Sequence, residues 1–329
     1  MNRKRQAGFS MVELMIAAVI SLLLGAALLS LYAQNKSSFN QNSNIARMQD
    51  DARFAMNELI RDIGMAGFFA DLLDPTLVTP DGSLSIATDC GPAALAEWMY
   101  QAVDPISGNA ISITTVDNAT GATANASHSC IDATEIRPGT DIVAIKRVTG
   151  QTVAAPLPGR IYLRSNGTVG LLYQDPAFAP PAIVVPAPFQ EWEFAPSIYY
   201  IQNYTNAPGD GLPALCRKLL QPGVTPTTVT ECIAPGVEDL QVEYGLDTNG
   251  NGAPDVFLAN PTLADLQQVV SAKIYLLART TDADTRYLND KIYTLSNAPP
   301  YQPMDNFYRR TFMSTLVIRN LKNLSRLDL

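Results

Sequence analysis

GFSMVELMIAAVISLLLGAALLSLYAQNK, residues 8–36, decides how this chain is built. From Leu14 to Tyr32 no residue is charged. As a helix that run is long enough to cross a hydrocarbon core about 30 Å thick. Glu13 stands just ahead of it and is the only charge between Phe9 and Lys36. Before Gly8 lies a short basic leader with Arg3, Lys4 and Arg5. No proline precedes Pro75, so nothing forces the helix to break early.

Reading onward, the helical pattern continues past the apolar run. Ile45, Met48, Ala52, Ala55, Met56, Leu59, Ile60 and Ile63 recur at spacings of three and four, which gives one apolar stripe. Asp50, Asp51, Arg53, Glu58, Arg61 and Asp62 are expected on the remaining, solvated surface, and Gly64 and Gly67 end the run. The first half would be apolar on every side; the second half would lay its stripe on a sheet.

Composition sets the outer limits. The chain has 329 residues, 47% of them hydrophobic, enough for one large domain or two small ones beyond the apolar segment. Charged residues make up 16% and the net charge is −8. Without the three leader cations, 20 basic side chains face 31 acidic ones, or −11. The positive charges are scattered and outnumbered, which excludes a basic nucleic-acid face. The three leader cations put the N-terminus in the cytoplasm and the rest across the membrane. Cys90, Cys130, Cys216 and Cys232 form an even set without CxxC spacing, and in an oxidising compartment they read as two disulfides. Of the three pairings, the sequence-local one, Cys90–Cys130 with Cys216–Cys232, is expected.

A basic leader and an apolar run also describe an ordinary secretory signal. The run is too long for that, and no small-x-small site follows it in LLSLYAQNK. A plain signal anchor leaves Glu13 unexplained, since a carboxylate placed deep in lipid costs roughly 2.5–3.5 kcal/mol. Gly8-Phe9-Ser10-Met11-Val12-Glu13-Leu14 resembles the class III signal of type IV pilins and type II secretion pseudopilins. That resemblance implies cleavage by a prepilin peptidase after Gly8, methylation of the new N-terminal Phe9, and a Glu at the fifth mature position, which is Glu13. It implies that Glu13 neutralises the new α-amine of a neighbouring subunit.

The remainder reads as strands and loops. Strands are expected at 110–116, 141–148 and 197–201, and an antiparallel hairpin at 160–164 and 169–173 around Asn166-Gly167. Residues 117–129, mostly Ala, Thr, Asn and Ser, read as a mobile surface loop, and the prolines of 176–188 as a rigid connector. Alternation predicts strands at 236–245, 271–279 and 308–320. Together with the N-terminus these late stretches resemble the PilW family of minor type IV pilins and, more distantly, the J-type minor pseudopilins of type II secretion. The middle, about 71–235, carries no matching motif. The fold implied is α+β and pilin-like: a leader (1–8), a transmembrane and assembly helix (9–67) packed on a mainly antiparallel sheet, and a β-rich periplasmic domain with loop-rich insertions (68–329).

Asp247-Thr248-Asn249-Gly250-Asn251-Gly252 matches the first half of a calcium loop. Asp247, Asn249, Asn251 and Asp255 would supply oxygens, with the Ala253 carbonyl between them. The twelfth position is Leu258 instead of a bidentate Glu, so affinity would be weak, and a polar Asn-Gly turn explains the same residues. Catalysis has little support: the lone His128 lies beside Cys130, and no GxSxG, HExxH or phosphate loop occurs. Glu191 and Glu193 read as solvated carboxylates, and Trp98 and Trp192 as packing residues.

The resemblance therefore implies a minor pilin, not an enzyme. It would be held first in the bacterial inner membrane and then in the pilus fibre at the cell surface, serving adhesion and twitching motility. Its partners would be other minor pilins, the major pilin and a tip adhesin, in a complex that primes assembly at the pilus tip. The alternatives are a J-type pseudopilin and, in a different class, a membrane-anchored periplasmic enzyme or binding protein.

Overall fold

The computed structural model describes residues 8, 10–72, 74–82, 84–92, 95, 97–104, 108, 110–174 and 185–321. The leader cations, Phe9 and most of the proline-rich connector lie outside the described residues. The chain falls into two compact units, one up to Arg47 and one from Met48 to Leu329.

Helix α1 covers Met11–Gly64, as the uninterrupted pattern requires. In the first unit it is exposed along its apolar length: Leu22 is 74% and Leu29 71% accessible. In the second unit its last turns bury Met48, Ala52, Ala55, Met56, Leu59 and Ile63, the expected stripe. The helix stops where Gly64 begins a turn. Gly67 has φ +76°, and a Cβ there would come within 2.8 Å of Leu321 Cδ2, so any other residue would be strained.

The second unit is built from β1 (Val78–Pro80), β2 (Ile113–Ala119), α2 (Gly121–Ser127), β3 (Thr140–Ile145), β4 (Val148–Thr152), β5 (Ile161–Ser165), β6 (Gly170–Gln174) and β7 (Gln190–Phe194). There follow β8 (Ser197–Gln202), β9 (Ala214–Gln221), β10 (Thr227–Pro235), β11 (Val237–Leu246), β12 (Val256–Leu258), β13 (Val269–Arg279) and β14 (Arg309–Val317). They form three sheets, in the orders β1-β6-β5-β7-β4, β10-β9-β8-β3-β2 and β12-β11-β13-β14. Every described pairing is antiparallel except β1 with β6. The expected mainly antiparallel packing is present, spread over three sheets.

The main core lies where α1 meets two of these sheets. Ala55, Leu59 and Ile63 pack with Ile113, Val143, Tyr199 and Leu215 of one sheet, and with Leu240, Val242, Ile274 and Leu276 of the other. Leu59 is fully buried there, and truncating it to Ala would cost about 2–5 kcal/mol.

The hairpin forms as the Asn-Gly pair predicts: β5 and β6 pair from Ile161–Gln174 to Ser165–Gly170, and Gly167 has φ +85°. Four expectations are corrected. Residues 117–129 are no mobile loop; β2 runs on to Ala119, and α2 follows with a Thr120–Thr123 capping box. The strand at 141–148 stops at Ile145, and Val148 opens β4 in another sheet. Glu191 is only 8% exposed, because it accepts from Arg164 Nε at 2.7 Å and from the Tyr173 hydroxyl at 2.8 Å. Asp62 is 2% exposed on the buried side of α1.

Candidate functional site

The first candidate is the head of α1. Ser10 precedes the first helical residue and Glu13 is the third residue within. The Val12 N–H donates to Ser10 Oγ at 3.3 Å, and the Ser10 N–H donates to the Glu13 carboxylate at 3.0 Å. Glu13 thus makes its half of a capping box, and Ser10 Oγ caps the second helical N–H instead of the third; together they satisfy two of the helix's unpaired N–H groups and set the carboxylate at the positive end of the dipole. Ser10-Met11-Val12-Glu13 spells that signature in the sequence, so the capping role was readable beside the charge-pairing one. Gly8 is exposed. Among the described residues, α1 is the one helix long and apolar enough to cross a membrane.

In the second unit both sequence-local disulfides are formed, Cys90–Cys130 and Cys216–Cys232. The latter joins directly opposed residues of β9 and β10. Sequence reasoning missed the polar node under the end of α1. Asp62 accepts from Arg147 at 2.8 Å, from the Tyr199 hydroxyl at 2.6 Å and from Ser197 Oγ at 3.4 Å. Burial, and then the Asp62 charge, push the Tyr199 hydroxyl up. The spacing of Asp62 beside Ile63 was the one available signal, and local pattern assigns such a residue to solvent.

Two families match segments of this chain. Residues 3–29 match the family described as prokaryotic N-terminal methylation motif, and residues 198–320 match the family described as Type IV Pilus-assembly protein W. By these two matches the chain is similar to PilW-type pilus-assembly proteins over residues 198–320 and to prepilin-like proteins at its N-terminus. No curated protein and no solved structure matches it. The PilW match runs from β8 through β14, so it takes in the whole sheet β12-β11-β13-β14. Residues 30–197 lie in neither matched segment.

Two further groups were singled out by sequence. In the 247–255 loop, Asp247 accepts the N–H groups of Asn251 at 3.0 Å and Gly252 at 2.7 Å. Asp255 accepts from the Thr248 N–H at 2.8 Å and from Asn249 Nδ2 at 2.6 Å, and Asn251 Oδ1 accepts from the Ala253 N–H at 2.8 Å. The oxygens that would hold calcium thus close the turn on itself, and Leu258 at the twelfth position is held in β12 opposite Tyr244. No group of three or more His, Cys, Asp or Glu suited to a metal occurs among the described residues. His128 is 2% exposed, edge-on to Trp98 at 5.3 Å, and neither ring nitrogen has a partner among the described residues. Burial first, and the Lys146 charge second, lower its pKa to about 3. Lys146 is itself buried; its ammonium donates to the Trp98 carbonyl and, at 2.7 Å, to the Gln101 carbonyl, and burial holds its pKa well below the ordinary lysine value.

Proposed function

We propose that this chain acts as a minor type IV pilin of the PilW type. The leader is removed after Gly8 and Phe9 is methylated. The chain waits in the inner membrane with its N-terminus at the cytoplasmic side and the β-rich unit in the periplasm. It then joins other minor pilins to prime the fibre, near the tip, where an adhesin can be carried; its work is assembly and not catalysis.

The observation that carries this reading is the exposed apolar head of α1, whose one carboxylate, Glu13, is engaged by the Ser10 N–H. A carboxylate offers about four acceptor positions, so most of Glu13 remains available to an amine. Cleavage after Gly8 creates that amine one residue ahead of Ser10, and in lipid an unpaired charge is costly. An anchored periplasmic enzyme would need neither the cut nor the pairing.

The test is a Gly8→Ala chain expressed in place of the native one. Mass spectrometry should find it unprocessed, and it should be missing from sheared pili. Pili that assemble normally around the uncut chain would overturn the reading. Co-purification of the chain with other minor pilins, lost with Gly8→Ala, tests the complex itself.

A further inference from the structure

The six sheet ends are not alike. β1 and β12 are only three residues long. β4, β2 and β10 are each interrupted by a register shift, and β10 is further tied by the Cys216–Cys232 bridge and by residues 87 and 88 lying against its start. Short strands and bulges are the usual protections against another chain adding to a sheet. β14 has neither: it pairs with β13 over nine residues, Arg309–Arg279 to Val317–Ser271, without a shift.

The direction of its outer groups follows from the register. Thr280 N donates to Tyr308 O and Ile318 N to Val270 O, just beyond the two ends of the ladder. Hydrogen-bonded pairs alternate along an antiparallel ladder, so the even-numbered residues of β14 turn their backbone to β13. Thr311, Met313, Thr315 and Val317 turn theirs away. The same residues are exposed, Met313 at 64% and Val317 at 63%. No charge that would repel an incoming strand stands between Arg310 and Arg319.

Charge identifies the occupant. Between Asn306 and Leu321 there are three arginines and no carboxylate, in a chain of net charge −8. Arg309 is consumed by Glu238 at 2.8 Å and by Asp305. Arg310 and Arg319 are exposed and form no ion pair among the described residues. A second copy of this chain would bring more arginines and no acid to the ribbon. We propose that the edge of β14, unpaired among the described residues, takes up an extended segment of a different protein, apolar where it lies beside Met313 and Val317 and acidic at its ends, as an added antiparallel strand. Main-chain hydrogen bonds would supply the affinity, and the two exposed arginines the selection. The proposal stands whether or not the head of α1 pairs with an amine.

The probe is a nine-residue peptide of alternating valine and threonine with glutamate at both ends, tested on the full chain in detergent against the same peptide with terminal lysines. Hydrogen exchange is read at the amides of Thr311, Met313 and Thr315. They should exchange freely in the chain alone and slow by at least about tenfold with the glutamate peptide only. Thr315→Pro, which removes an outward N–H and no ladder bond, should abolish the protection. Arg310→Glu should shift the preference to the lysine peptide, and this surface change keeps the test decisive if the proline variant fails to fold. Slow exchange in the chain alone, equal protection by both peptides, or an unchanged preference in Arg310→Glu would each overturn the proposal.

Discussion

Asp62 and Arg147, eighty-five positions apart, meet at 2.8 Å beneath the last turn of α1, with side chains 3% and 13% exposed. The pair ties the helix to the β3–β4 corner, and Tyr199 and Ser197 occupy the carboxylate's other acceptor positions. Removing one member leaves a buried charge without its partner. Asp62→Leu should therefore cost about 3 kcal/mol or more, while Asp62→Leu with Arg147→Met should recover most of the loss. Urea denaturation of the full chain in detergent measures both. A neutral single variant would show that the pair does not fasten the helix.

Glutamine separates the capping contact of Glu13 from its proposed pairing with an amine. A capping box accepts Gln as readily as Glu at the third helical position, so Glu13→Gln keeps the bond to the Ser10 N–H and loses only the charge. Glu13→Ala loses both. If an adjacent subunit's amine needs the charge, both variants should be missing from sheared pili to the same degree, although both are cleaved and inserted. Incorporation of Glu13→Gln at the native level would make Glu13 a capping residue and nothing more.

What the sequence made legible was whatever depends on period and local chemistry. The apolar run, the stripe from Met48 to Ile63, the Asn166-Gly167 hairpin and the alternation of β11 and β13 all follow from side chains near one another in sequence. The pairing of the four cysteines was likewise favoured from their nearness in sequence. The hidden features depend on partners far away. Asp62 reads as a surface charge until Arg147 is brought to it, and Glu191 until Arg164 and Tyr173 are. The division into three sheets turns on the break at Lys146–Arg147, where the backbone leaves one sheet for another. No local pattern marks that break, because Lys146 is buried under Trp98 and not turned to water. In α2 the capping residues Thr120 and Thr123 outweighed a composition that reads as loop.

The 247–255 loop yields a prediction that distinguishes turn from cation site. Asp247 holds two backbone N–H groups, so Asp247→Ala should destabilise the chain by roughly 1–2 kcal/mol and lower the melting temperature by a few degrees. As a self-closed turn the loop should show the same loss in EDTA and in millimolar calcium. A native melting temperature that rises with calcium, with the rise erased in Asp247→Ala, would instead assign the loop's oxygens to the cation.

His128 makes the stability of this unit fall in acid. Its folded-state pKa is lowered from 6.5 to about 3, mainly by burial and then by the Lys146 charge. Between those values the unfolded chain binds the proton and the folded chain does not, so stability is fully present above about pH 6.5 and is lost progressively toward pH 3. The loss approaches on the order of 4 kcal/mol at the acid end. Asp141 and Asp239 act in the opposite sense. Burial raises them to about 8 and about 6, so their contribution is present at low pH and fades as pH rises through those values. The native profile is the sum of all three, and the difference between the native chain and His128→Phe isolates the histidine. Phenylalanine fills the same space against Trp98 and cannot take a proton, so the variant should gain on the native chain steadily below pH 6 and match it at pH 8. Parallel profiles across that range would mean that His128 is charged, or exposed, in the folded chain.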